Sequence, residues 1–328
     1  MSTAIDVDAH AGVVTMNRAD GLAAEQVAGR LLAVAGGRID DPSWIAEASL
    51  LWHDLPEQLR RSLVTYRRDS GRSGALLVRG LPIDESRVPE TPMVSGSVQR
   101  QATVPAALLV LAASAFGDPI AFSKEKSGAM VQDVVPVPGS EELQGNEGSV
   151  LLTFHNENAF HEHRPDFVLL VCLRADHDRV AGLRTVSIRQ VYDRLGDAHR
   201  EALFSAEFVT APPPSFGVGG PASVPHAVLS GAQDDPDVMA DFAATEPLTE
   251  RAGAALAELR SLFVAHALTH YLTPGDLAVV DNRTTLHGRT SFTPRYDGRD
   301  RWLQRTTVVQ NLRRSRALRV ADGHVLAG

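Results

Sequence analysis

The chain has 328 residues, 44% of them hydrophobic, enough to bury a substantial core in one large domain or two small ones. A formal charge of −8 and a pI of about 5.8 give a surface that repels phosphate backbones and anionic lipid. Nucleic acid and membrane surfaces are thereby set aside as partners, and a small zwitterionic or cationic molecule stays compatible.

The only cysteine, Cys172, cannot form an intramolecular disulfide, and within the apolar run FVLLVCLR it reads as a small core residue. The N-terminus lacks the basic-then-apolar layout of a signal peptide. The longest apolar stretch, around Ala106–Phe116, is too short to span a bilayer. A reducing, cytoplasmic setting is the expectation.

In chain order, Ala23–Ala35 and Pro42–Arg68 carry apolar residues at three- and four-residue spacing, with start signals at Asp41 and Asp54–Pro56, and predict helices. Gly74–Arg79 predicts a buried strand, and Pro105–Phe116 a core helix. From about Ala129 the pattern changes. AMVQDVVPVP, SVLLTFH, DFVLLVCLR and LRTVSI are short β-rich segments separated by turn residues. Ser187–Leu195, Asp197–Phe204 and Glu250–His266 predict helices, and Leu277–Asp281 and Gln304–Leu312 strands. Ala211–Pro225 (APPPSFGVGGPASVP) is irregular, as either a lid or a plain surface excursion. Strands without intervening helices favour a helix-flanked antiparallel sandwich or jelly roll over a doubly wound parallel sheet.

Among twelve histidines, geometry must choose a metal site. H-x-E occurs at His155-Asn156-Glu157 and at His199-Arg200-Glu201. The second lies in a helical pattern, where residues two apart point about 200° from each other. The first ends an apolar strand, where positions i and i+2 share a face, so His155 and Glu157 can chelate together. His266 and His270 have the spacing of a helical zinc pair, but Ala267 stands where a hydrolase needs its general base. His161 and His163 share a face near a proline turn and are expected beside the ligands or in solvent. Two histidines and one carboxylate bind one face of iron(II) and leave the other open. The third ligand is expected at His287 in VVDNRTTLHGRTSF, with Gly288 allowing close approach of the backbone to the metal.

In the following RWLQR segment, Arg301, Leu303 and Arg305 share a strand face. Two guanidinium groups in one cavity repel unless carboxylates arrive between them, so the pair suits two carboxylic acids. The alternative is surface ion pairing with Asp297 and Asp300.

LLTFHNENAFHEHRPDFVLLVCLR followed by HGRTSFTPRYDGRDRWLQR resembles the clavaminate-synthase-like Fe(II)/2-oxoglutarate oxygenases, and the likeness runs from about SGALLVRGLP to the C-terminus. The resemblance implies an α+β fold, a distorted double-stranded β-helix (jelly-roll) core with flanking helices. One domain would cover 1–328, with a helical flank over about 1–70, a core over about 74–328 and a lid over about 208–225. His155, Glu157 and His287 match the family's iron ligands. Arg301 matches the arginine that pairs with the distal carboxylate of 2-oxoglutarate, and Thr185 a hydroxyl that bonds the same cosubstrate. Arg305 matches the residue that holds the substrate α-carboxylate.

The resemblance also places Glu125, Asn146 and Asp241 at substrate positions. A carboxylate at Glu125 neutralises an α-ammonium group, and Asn146 with Asp241 complements both halves of a carboxamide. The implied reaction uses Fe(II), 2-oxoglutarate and dioxygen to hydroxylate Cβ of free L-asparagine to 3-hydroxyasparagine. Peptide-antibiotic biosynthesis, with a nonribosomal peptide synthetase as a linked partner, is the implied setting. Arginine, lysine, citrulline, glutamine or a carrier-bound residue are alternative substrates. A zinc hydrolase and a non-catalytic jelly-roll binding protein are the alternatives outside this chemistry.

Overall fold

Phe167–Arg174 is buried at every position and forms the centre of the larger sheet, which explains its unbroken apolar run. It pairs antiparallel with Leu277–Asp281 on one side and Trp302–Val309 on the other. Ala75–Arg79 and the parallel Gly12–Thr15 extend one flank; Asp118–Phe122 and Val325–Leu326 extend the other. Gln132–Val134 also pairs with Trp302–Val309, making eight strands. A second sheet has four strands in the order Leu268–His270, Leu183–Ser187, Thr285–Arg289, Leu152–His155. This computed structural model describes residues 12–213, 216 and 222–327.

The two-residue period of the strands sorts the chain into layers. Leu169, Val171 and Leu173 face one way, into a core shared with the helices Arg18–Leu32, Pro42–Leu51, Glu57–Arg68 and Val104–Ser114. Leu170, Cys172 and Leu303 face the other way and meet Leu183 of the smaller sheet in an apolar cluster between the sheets. In the smaller sheet Phe154, Val186 and Leu286 turn outward onto the helix Glu250–His266. Their neighbours His155, Thr185 and His287 therefore turn inward. The architecture is the jelly-roll sandwich expected from the sequence.

The long helix expected over Pro42–Arg68 is broken. It runs to Leu51, tightens to a 3-10 turn at Trp52–Asp54, and restarts at Glu57–Arg68. Pro56 forces this, since it lacks an N–H and drives Leu55 to extended backbone. Asp41 caps the first piece as expected, accepting from the Ser43 N–H. Ser187–Leu195 likewise splits into a helix at Ile188–Val191 and a 3-10 turn at Tyr192–Arg194. Of the irregular segment, residues 214, 215 and 217–221 lie outside the described residues. Its ends are tied down. The Ser223 N–H donates to Thr210 O, and Phe216 packs on Phe122 and Phe160. Among the described residues no helix is long and apolar enough to cross a membrane.

Candidate active site

His155 and His287 stand opposite each other on paired antiparallel strands, their ring centroids 4.4 Å apart. Glu157 follows two residues after His155, and the donor atoms of all three lie within 4.8 Å of one another. The Nδ1 of His155 faces the carbonyl of Thr153 at 2.9 Å, leaving Nε2 as the free lone pair. His287 Nε2 lies 3.8 Å from Glu157 Oε2, too far for a hydrogen bond, and its Nδ1 has no partner among the described residues. Burial, then the nearby His155 and Arg305, holds His287 neutral, its pKa well below the usual value. A buried neutral imidazole with unclaimed nitrogens beside a carboxylate fits a divalent cation. Two imidazoles plus one carboxylate suit Fe(II) with coordination positions left open.

A buried amide network fixes these donors. Asn156 donates to the carbonyls of Asn282 and Thr285 and accepts from the Ala240 N–H. Asn282 returns the contact, accepting from the Glu157 N–H and donating to the carbonyls of Glu157 and Pro165. The strand holding His155, the turn before His287 and the segment leading to Asp241 are thereby locked together.

Beside the triad opens a cavity of about 550 Å³ whose walls include Glu125, Asn146, Asp241 and Arg305. Arg305 lies 2.6 Å from Glu157 Oε2 and donates also to Glu125 and Gln132. Burial opposes its charge, but the Glu157 and Glu125 carboxylates more than compensate and raise its pKa above the usual range. Asp241 accepts the Ala243 N–H through Oδ1, leaving Oδ2 for a ligand.

Arg301 and Thr185 are absent from the cavity's walls and lie within the protein. Arg301 precedes its strand, is 5% exposed, and has no carboxylate bonded to it among the described residues. Its guanidinium lies 5.9 Å from the centre of the Phe292 ring, and burial lowers its pKa. Asp297 and Asp300 turn to His177 instead, so surface ion pairing does not explain Arg301. Arg289 stands over the same ring at 5.2 Å, its pKa brought down to about 9 by burial and by Arg301. Two buried cations without a carboxylate are a seat for an anion. Thr185 is fully buried, pairs with His287 across the sheet, and its hydroxyl lies 3.1 Å from His270 Nε2.

Residues 46–307 match the model of the taurine catabolism dioxygenase TauD, TfdA family. The chain belongs to the TauD/TfdA dioxygenase family. It is 59% identical over 313 residues to an L-asparagine oxygenase of Streptomyces coelicolor, covering 95% of this chain and 94% of that one. Clavaminate synthase 2 of Streptomyces clavuligerus is 34% identical, covering 83% and 85%. A solved asparagine oxygenase in complex with Fe(II), 2S,3S-3-hydroxyasparagine and succinate superposes with a TM-score of 0.94 at 58% identity, over 96% of this chain and 99% of that one. The double-stranded β-helix expected from the sequence is the fold of this TauD/TfdA enzyme.

Some expectations about this TauD/TfdA chain are refined by the structure and others agree with it. Arg305 lines the open cavity, whereas Arg301, like His287, is not among its walls and is enclosed near Cys172. The neighbouring strand by itself requires Gly288, since a Cβ there would sit 2.5 Å from Leu152 O. His287 lies beyond the strand Leu277–Asp281, as expected, and within the next strand, Thr285–Arg289. His266 ends its helix and His270 lies in the next strand, so the two never share a helical face. His199 lies on a helix as expected and bonds Glu258. His161 is edge-on to Phe122 and Phe160, where burial lowers its pKa to about 4, and neither it nor His163 joins the donor triad. The Cys172 thiol is pushed up to about 12 by burial, consistent with a core residue.

One residue escaped the sequence. Asn158 is buried at a left-handed φ of 53°, lines the cavity, and its amide nitrogen has no partner among the described residues. The run HNEN contains it, but no spacing rule distinguishes that second Asn from a turn residue.

Proposed function

We propose that this chain is an Fe(II)/2-oxoglutarate-dependent oxygenase that hydroxylates Cβ of free L-asparagine. One observation carries the reading: the His155, Glu157 and His287 donors converge beside a cavity that holds Glu125, Asn146, Asp241 and Arg305. The 59% identical asparagine oxygenase supports the substrate choice, and the solved neighbour supports 3-hydroxyasparagine and succinate as products.

His155, Glu157 and His287 would hold the iron. When bound, Fe(II) with 2-oxoglutarate and dioxygen supplies the oxidation: the cosubstrate loses carbon dioxide to become succinate, one oxygen atom enters succinate and the other replaces a Cβ hydrogen as hydroxyl.

This chain's residues position that chemistry. The buried cation of Arg301 pairs with the distal carboxylate of 2-oxoglutarate, assisted by the Thr185 hydroxyl. Arg305 and Glu125, already bonded to each other, present opposite charges to the α-carboxylate and α-ammonium groups of a zwitterion. Asn146 and Asp241 read the carboxamide, and Asn158 adds a donor that has no other partner among the described residues. Asp241 repels a side-chain carboxylate, which disfavours aspartate, and tolerates a cation, which keeps arginine or lysine as the second reading. Phe160, Ala211 and Pro213, the last two from the described start of the irregular segment, wall the cavity against water.

The chain acts as one catalytic unit, with the N-terminal helices bracing the larger sheet. Its setting is the cytoplasm, and its product is a building block for a nonribosomal peptide antibiotic. The test is a mass-spectrometric screen of free amino acids with Fe(II), ascorbate and 2-oxoglutarate. Gain of one oxygen with asparagine supports the reading, and turnover confined to basic amino acids overturns the substrate.

A further inference from the structure

Residues next to the two substrate readers touch each other. Lys126 follows Glu125 and Glu147 follows Asn146, and Lys126 Nζ lies 3.8 Å from Glu147 Oε1. Their side chains are only 8% and 16% exposed. The Glu147 carboxylate also accepts from the Ser95 hydroxyl at 2.8 Å and the Gly96 N–H at 2.7 Å. The ammonium group donates to Asp133 O at 2.6 Å and Ser97 O at 3.2 Å. Asp133 in turn accepts from Trp302 Nε1 at 2.8 Å, on the strand that carries Arg305.

Turning Lys126 inward has a conformational cost. Lys126, Ser127 and Gly128 hold consecutive left-handed φ values of 45°, 54° and 69°. Such backbone is unfavourable for each non-glycine residue and persists only when its surroundings demand it. A buried ion pair contributes little net stability compared with an apolar replacement, so stability alone does not account for it.

We propose that Lys126 and Glu147 form a tether that sets the separation of Glu125 and Asn146, and with it the length of amino acid side chain the pocket accepts. The tether rests on the proposed reading of those two residues as the ammonium and carboxamide contacts. Both side chains also border the cavity, so it is the coupling between them, and not their separate presence there, that marks the tether. A loosened tether lets Asn146 retreat from Glu125 and admits a side chain one methylene longer.

The experiment is a competition between asparagine and glutamine, with product ratios read by mass spectrometry in Lys126→Met, Glu147→Gln and the double variant. A fitted pocket resolves one methylene by roughly 10–200-fold. Each single variant is expected to cut the asparagine preference by about tenfold, near the lower end of that range. The double variant is expected to fall no further, and the KM for 2-oxoglutarate to stay within about twofold. Ser95→Ala removes one donor and no charge, and reports a smaller fall in the same direction if a charged-residue variant does not fold. An unchanged ratio in folded variants, or multiplying effects in the double variant, overturns the tether. If the wild-type enzyme prefers another amino acid, the substrate reading fails on its own. The tether is then judged by the same ratio for that amino acid and its homologue one carbon longer.

Discussion

His155 and His287, 132 positions apart in sequence, are direct cross-strand partners with ring centroids 4.4 Å apart. Antiparallel pairing therefore brings the distant histidine to the H-N-E tripeptide. The convergence of the three donors depends on sheet register, and a slip of one residue would turn His287 toward the outer helices.

Replacing His155, Glu157 or His287 with alanine should eliminate succinate formation while leaving the fold intact. The loss should exceed the roughly 10–100-fold typical of groups that merely support a metal ligand. Succinate release and far-ultraviolet circular dichroism check both halves.

Arg301→Met should weaken 2-oxoglutarate binding by about 2–5 kcal/mol, the usual cost of truncating one partner of a buried charge pair. Anaerobic titration of the Fe(II) enzyme with cosubstrate reads this directly. Because Arg301 has no carboxylate partner among the described residues, the same variant should not lower thermal stability.

Asp241→Asn should raise the acceptance of aspartate relative to asparagine, since a repelling carboxylate becomes a carboxamide able to donate. The ratio of kcat/KM values for the two amino acids checks it. No change would remove Asp241 from the side-chain pocket.

Asn156→Ala should destabilise the protein. It strands the Ala240 N–H and withdraws a donor from the carbonyls of Asn282 and Thr285. An unsatisfied buried group costs about 1–3 kcal/mol, so a lower denaturation midpoint is expected together with weaker metal binding.

The core strands and the H-x-E whose donors meet His287 were legible because each is local: an apolar run, or two positions on one strand face. Glu250–His266 and Leu277–Asp281 stand where periodicity placed them. What the sequence withheld depends on contacts between distant segments. Gly12–Thr15 is a strand only because Ala75–Arg79 lies beside it. The close approach of the Leu152 carbonyl to Gly288 and the burial of Arg301 both follow from how distant strands pack. Asn158 is marked only by left-handed backbone and an unpartnered amide, neither visible in a string of letters.

The most direct measurement is anaerobic Fe(II) binding to the purified wild-type protein and to the three single alanine variants at His155, Glu157 and His287. The account requires one iron per chain in the wild type and a severe loss of affinity in every variant. Full-strength iron binding by the His287→Ala protein would contradict it, because the three donors would then not share one ion.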